Sequence, residues 1–190
     1  MFKGININNA FYKLIFFVIV GLYIIFIANA LGKPLVQDDW WNRSAAESIV
    51  LTDRPQLFGI NRGLLLGHPP LYLYIVALFF KILGIGDLQA RLAGIIFFIL
   101  NLSLVFSLAK NLYPKNRFAP ILSLLFFGLS PIAIQGSLMI DIDQNLLTFS
   151  GTLFFYCFLR LKNLAEKKRI LILALIFFSV LCSKLSLPPL

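Results

Sequence analysis

Five long apolar runs, separated by short basic stretches, constrain this 190-residue chain more than any other feature. A helix needs about 20 apolar residues to cross the hydrocarbon core of a bilayer. The runs cover residues 11–31, 92–109, 118–140, 144–161 and 170–187. The chain is 59% hydrophobic and contains 20 Phe, which is more apolar surface than a water-soluble domain of this size can bury. We therefore predict an all-α, polytopic membrane helix bundle with about five transmembrane helices.

A sixth apolar run, residues 70–83, is too short for hydropathy alone to decide whether it crosses. If it does not cross and the N-terminus is cytoplasmic, ten of the 17 Lys and Arg residues lie inside, opposed only by Glu166. If it does cross, the count is 12 outside against five inside, which breaks the positive-inside rule. We therefore predict that residues 70–83 form an interfacial helix in the first outer loop.

The formal net charge of +9 follows from this orientation and gives no reason to expect a nucleic-acid partner. The first apolar run also has some features of a signal peptide, but its length favours an uncleaved anchor. Cys157 and Cys182 both lie within apolar runs, so we expect no disulfide between them.

The predicted topology places a long outer loop, residues 32–91, and a short outer turn, residues 136–144, in the same compartment. Pro120 and Pro131 lie in the third run, where they are expected to kink the helix or adjust its ends. Each of the two outer segments carries a pair of acids. The four acids are Asp38 and Asp39 in the loop, and Asp141 and Asp143 in the turn.

Asp38 and Asp39 come soon after the first span and are followed by Trp40 and Trp41. Two interpretations remain open. The acids can begin an ordinary solvated loop, with the indoles as interfacial belt residues. Alternatively, a carboxylate held at the membrane surface can act as a general base on a hydroxyl or amine, because a charge at that depth needs a cation, water or polar partner.

Asp141 and Asp143 lie between the third and fourth runs. Asp143 is a credible N-cap for the helix that follows, which explains one acid but not both. Residues at positions i and i+2 of a helix point to different sides, so we expect only one of the two to face a site.

Arg91 is a candidate for phosphate binding, and Arg43 adds a further cation to the same outer loop, which also contains His68. His68 can equally be a polar turn residue ahead of Pro69. Arg91 can equally be a snorkelling interface residue.

The order of these features resembles the N-terminal part of GT-C-type glycosyltransferases. The order is an acid pair after the first span, HPP before an interfacial helix, GDLQARL at the start of a span, and MIDIDQ between the next two spans. The branch in question contains the protein O-mannosyltransferases and the lipid A aminoarabinose transferases. The resemblance rests on order and topology along essentially the whole chain, and no single motif is diagnostic.

The resemblance implies an inverting hexosyl or pentosyl transferase. Its donor would be a polyprenyl-phosphate sugar, its acceptor a lipid, glycan or protein on the extracytoplasmic face, and its general base an aspartate. By position, Asp38 or Asp39 matches the catalytic acid, although the family often has Asp-Glu there. Asp141 or Asp143 matches the second acid, which binds a metal or the acceptor. His68 falls where related enzymes have a polar or basic residue near the donor phosphate. Arg43 and Arg91 are further candidate cations for that phosphate.

The resemblance leaves a divalent metal open, with Asp39 and Asp143 as its candidate ligands. Family members are usually more than twice this length. We therefore expect residues 1–190 to be a single incomplete GT-C module, completed by a C-terminal half or a partner subunit. A bacterial inner membrane is the default location.

A non-catalytic membrane protein, such as a transporter piece or a partner subunit, is the alternative. It is disfavoured because the spans at residues 92–109 and 170–187 carry no mid-membrane charge of the kind that ion pathways need.

The topology can be tested by labelling. Single cysteines placed near Asp39 and near Asp143 should both react with a thiol reagent that cannot cross the membrane, because both acid pairs are predicted to face outside. Labelling at only one of the two positions would instead support six spans.

Overall fold

The protein is described here by a computed structural model that covers residues 9–35, 37–55, 71–140 and 145–184. Every regular element in these ranges is helical, so the predicted all-α class is confirmed. The helices are α1 Asn9–Leu31, α2 Gln37–Thr52, α3 Leu71–Leu83, α4 Asp87–Leu112, α5 Ala119–Gly128, α6 Pro131–Leu138, α7 Asn145–Arg160 and α8 Glu166–Lys184, with a 3₁₀ turn at Leu161–Asn163.

Two helices are long and apolar enough to cross a membrane, α1 over Ala10–Leu31 and α4 over Asp87–Leu112. The pair α5 and α6 makes a third crossing if the two bent helices form one span. α7 and α8 occupy the fourth and fifth predicted spans, and neither meets the same criterion over its described residues. The structure therefore supports a membrane helix bundle with two or three candidate spans in the part of the chain that it describes.

α1 runs antiparallel to α4 and alongside α5 and α6 in the same direction. Near the start of α1, the Tyr12 ring lies 5.6 Å from Phe106 of α4. Further along, the Tyr23 ring stacks 4.1 Å from Phe98. The buried Tyr23 hydroxyl donates to Ser137 Oγ of α6 at 2.8 Å. Buried polar groups need such partners most where water is absent.

α7 packs against α4, and α8 packs antiparallel to α7. The ring of Phe149, near the start of α7, lies 5.1 Å from Phe97 of α4. Ser179, late in α8, donates to Ser150 Oγ, early in α7, at 3.2 Å. Chain direction therefore alternates along the bundle, as the predicted topology requires.

This arrangement gives the bundle two chemically different ends. The end defined by Asp39, Arg91 and Ile140 is called the site end below. The end defined by Tyr12 and Lys110 is called the basic end.

The bend between α5 and α6 is 54° and has a local cause. Pro131 is the first residue of α6 and has no backbone N–H to continue the preceding helix. Ser130 precedes it as N-cap, and its hydroxyl accepts from the Ala133 N–H at 3.4 Å. Pro120 lies in the first turn of α5. The predicted effects of both prolines are confirmed.

α3 has 13 residues, so its length is only about 20 Å and it is not a full crossing by itself. Its buried face consists of Tyr72, Leu73, Val76, Ala77 and Phe80, and it packs against α2 and α4. The Tyr72 ring lies 6.4 Å from Phe97, so α3 runs back along the first half of α4. Gly84, at φ +88°, makes the turn between them. This packing alongside α4, a candidate span, does not support the predicted orientation flat in the interface.

Gly128 lets α5 approach α1 closely, because a Cβ built there would clash with Ile19 Cγ2. We expect Gly128→Ala to destabilise the protein by about 1–3 kcal/mol through this clash with a stiff β-branched side chain. The measurement is thermal unfolding in detergent. Gly21→Ala is the matched control, because a Cβ at Gly21 meets nothing within 4 Å. Equal melting temperatures for the two variants would contradict the close approach.

Candidate active site

The predicted acid pair opens α2. Asp38 and Asp39 are the second and third residues of this helix, where backbone N–H groups and the helix dipole favour negative charge. Asp39 is only 4% exposed, although carboxylates are rarely buried unless they have polar partners. The side chain of Asp38 lies outside the described part of the structure.

Two side chains of α2 hold the backbone of Ile140. Asp39 Oδ1 accepts a hydrogen bond from the Ile140 N–H at 2.7 Å. Asn42 Nδ2 donates to the Ile140 carbonyl, also at 2.7 Å. We call this pair of contacts the α2 latch. Bonds between a carboxylate and an N–H are about twice as strong as neutral ones, which offsets the cost of burying Asp39.

The latch determines where the second acidic segment begins. Ile140 is fully buried and is the last described residue before Asp141. The start of residues 141–144 is therefore tied to the start of α2, about 100 positions earlier in the chain. Asp141 and Asp143 themselves lie outside the described residues, so their predicted role is not tested.

Beneath the latch is an apolar cluster that combines five parts of the chain. It contains Ala45 and Ile49 of α2, the buried face of α3, Ala90 and Ala93 of α4, Ile140, and Leu146 of α7. Close packing of this kind limits side-chain movement, so α2, which carries the acid pair, is held in a fixed position.

Arg91 caps the end of α1. Its Nη1 donates to the carbonyls of Ala30 and Leu31 at 3.0 Å each, and its Nη2 donates to the Lys33 carbonyl at 3.1 Å. Ala30 and Leu31 lie in the last turn of α1, whose carbonyls have no N–H partner within the helix, and the C-terminal end of a helix attracts positive charge. The Ala30 carbonyl also accepts from the Lys33 N–H at 3.1 Å. Arg91 is 5% exposed. No local pattern around Arg91 indicates this capping role, because α1 ends 60 residues earlier.

Arg43 connects α2 to the beginning of α4. Its Nη1 lies 3.0 Å from Glu47 Oε2, and its Nε lies 2.8 Å from Asp87 Oδ1. The Arg43 side chain is partly exposed, so each ion pair contributes only modestly to stability. The carboxylates of Glu47 and Asp87 already neutralise the charge of the Arg43 guanidinium, so a phosphate would have to compete with them.

The other predicted site residues are His68, the proposed metal ligands and the two tryptophans of α2. His68 lies outside the described residues. No three His, Cys, Asp or Glu side chains within the described ranges are grouped so that they could hold a metal ion. Asp143 lies outside the described residues, so the suggested metal-ligand pair of Asp39 and Asp143 is not tested. Trp40 is half-exposed and Trp41 less so, and their predicted position in the interface is not tested.

A protein-family model described as dolichyl-phosphate-mannose-protein mannosyltransferase matches residues 67–185, which is more than half of the chain. The match begins after the acid pair of α2 and includes His68, Arg91, Asp141 and Asp143. The chain has no significant match among curated proteins or solved structures.

The cap on α1 can be tested by Arg91→Met, which keeps an apolar stem of similar shape but removes all of the donors. We expect a loss of about 1–3 kcal/mol in unfolding free energy, because the partly buried carbonyls at the end of α1 lose their charged donor. Thermal unfolding in detergent gives the measurement. Arg54→Met is the control, since Arg54 is exposed at the end of α2. If both variants melt at the same temperature, Arg91 does not stabilise α1.

Proposed function

Since the chain belongs to the dolichyl-phosphate-mannose-protein mannosyltransferase family, whose members are membrane glycosyltransferases, we propose that its site end transfers a sugar from a polyprenyl-phosphate donor to an acceptor. The α2 latch is the observation that carries this proposal. It brings the first acid pair next to the residue before the second acidic segment, so both can serve one reaction centre.

The proposed reaction is a single displacement. A carboxylate of the α2 pair takes the proton from an acceptor hydroxyl or amine, and the resulting nucleophile attacks the anomeric carbon. The bond from that carbon to the phosphate oxygen breaks, the configuration inverts, and polyprenyl phosphate leaves with the bonding electrons. The sugar is a hexosyl or pentosyl group.

The two acids of the pair have different proposed roles. Asp39 is buried and its Oδ1 already accepts the Ile140 N–H, so this carboxylate is engaged in the latch. We assign Asp39 to positioning and Asp38 to proton removal. Consecutive residues of a helix point about 100° apart, so one acid can hold the latch while the other serves the substrate.

The leaving phosphate needs positive charge nearby. Arg43 is the best placed of the described candidates, because it lies one helical turn after Asp39 and is partly exposed. His68 remains a candidate on sequence alone. Arg91 is assigned instead to holding α1, and from there it contributes a buried positive charge to the site end.

Asp141 and Asp143 are proposed to orient the acceptor, and Asp143 with Asp39 could hold a divalent cation. Such an ion would stabilise charge on the phosphate. The reaction as written uses only the side chains of this chain.

The distribution of charge supports an extracytoplasmic site end. Basic residues cluster at the opposite end, in the connections that follow α4 and α7 and at the start of α8. They are Lys110, Lys115, Arg117, Arg160, Lys162, Lys167, Lys168 and Arg169. By the positive-inside rule these connections are cytoplasmic. The membrane is proposed to be a bacterial inner membrane, and the acceptor a lipid, glycan or protein.

Single substitutions in native membranes, where any partner subunit is present, test these roles. We expect Asp38→Asn to lower transfer of a labelled sugar from polyprenyl phosphate by about 10²–10⁴-fold, because it removes the base. Asp39→Asn keeps an oxygen that can accept from Ile140 and should cost less, whereas Asp39→Ala should also lower thermal stability.

Asp53→Asn is the matched control. Asp53 is exposed at the end of α2 with φ 60°, a conformation that asparagine also tolerates. Transfer that survives in both Asp38→Asn and Asp39→Asn would remove the pair from the mechanism. It would then favour the non-catalytic alternative, in which the latch serves assembly alone.

A further inference from the structure

A second site lies at the basic end, between α1 and α4. It is an open pocket of about 560 Å³. Its polar lining consists of Lys13, Lys110, Ser103 and Ser107. Aromatic rings of α1 and α4 form most of the remaining wall, among them Tyr12, Phe17 and Phe106.

The pocket is remote from the site end. Ser107 follows Arg91 by 16 residues along α4, which is about 24 Å of helix. The transfer reaction proposed above does not use any residue of this pocket, so the pocket would have a separate function.

The charge of the pocket favours an anion. Lys13 and Lys110 both line it, and no Asp or Glu does. Within the described residues, neither ammonium group forms an ion pair with a carboxylate. Lys110 Nζ lies 5.8 Å from the Tyr12 ring centroid, a cation–π contact that positions the charge without neutralising it. Two lysines with a serine hydroxyl are suitable donors for a phosphate.

The pocket also has a direction. Lys110 lies near the end of α4, while Ser103 lies two turns deeper, about 10 Å towards the middle of the helix. Phe17 is 68% exposed beside the deeper part, on a helix that is apolar enough to cross the membrane. A ligand with a charged head and an apolar tail matches this gradient, whereas a soluble phosphate would leave the aromatic wall uncovered.

We infer that this pocket binds an anionic phospholipid of the bilayer, with its phosphate between Lys13 and Lys110 and an acyl chain along Phe17. Basic pockets between transmembrane helices on the cytoplasmic side are suited to such headgroups. The inference does not depend on the proposed transferase activity.

The test measures lipid binding directly. The purified full chain in detergent is titrated with phosphatidylglycerol or phosphatidylcholine, and retained lipid is counted by native mass spectrometry. We expect phosphatidylglycerol to be preferred and its affinity to fall on the order of tenfold or more in K13Q/K110Q, since each lysine contributes to attraction. K13R/K110R should keep the preference.

K167Q/K168Q is the matched control, because it removes two exposed charges at the start of α8, outside the pocket lining. An equal loss in this control would show that only the general charge of the basic end matters, and would overturn the proposal. So would equal binding of phosphatidylcholine, or displacement of the lipid by millimolar glycerol phosphate, which would identify a soluble phosphate ligand. Melting temperatures of all variants establish that they are folded.

Discussion

The α2 latch, in which Asp39 and Asn42 bind the backbone of Ile140, is the interaction on which the site end depends. At this position α6 has ended and α7 has not begun, so the peptide groups of Ile140 have no helical partners. Asp39 satisfies the N–H and Asn42 satisfies the carbonyl. In a poorly hydrated environment an unpaired peptide group costs several kcal/mol, so α2 and the segment after α6 have a strong reason to stay together.

The same requirement explains what the two arginines of the site end do. α1 ends beside α4, and the carbonyls of its last turn have no N–H partners within the helix. Arg91 supplies them from the first turns of α4. Arg43 joins α2 to the first residue of α4, Asp87. Positive charge is therefore held close to the acid pair by contacts that also hold three helices in place.

The two ends of the bundle can serve different purposes because the helices between them are apolar and alternate in direction. In the described part of the chain, Asp39 lies at the site end, and Lys13 and Lys110 line a pocket at the basic end, about 24 Å away along α4. Family membership makes the chain a membrane glycosyltransferase, which needs lipid-linked chemistry at a surface. The proposed lipid site at the basic end would occupy the opposite surface, so the two could operate without competing.

The sequence by itself determined the helical class, the alternation of spans and basic connections, and the break at Pro131, because hydropathy and proline geometry act over a few neighbouring residues. It also identified Asp38 and Asp39 as candidate catalytic residues in the first outer loop. Only the tertiary structure decided that Asp39 accepts a hydrogen bond from the Ile140 N–H and that Arg91 caps α1. Each of these contacts joins residues 60 or more positions apart, and a polar side chain carries no local sign of which distant backbone group it will satisfy.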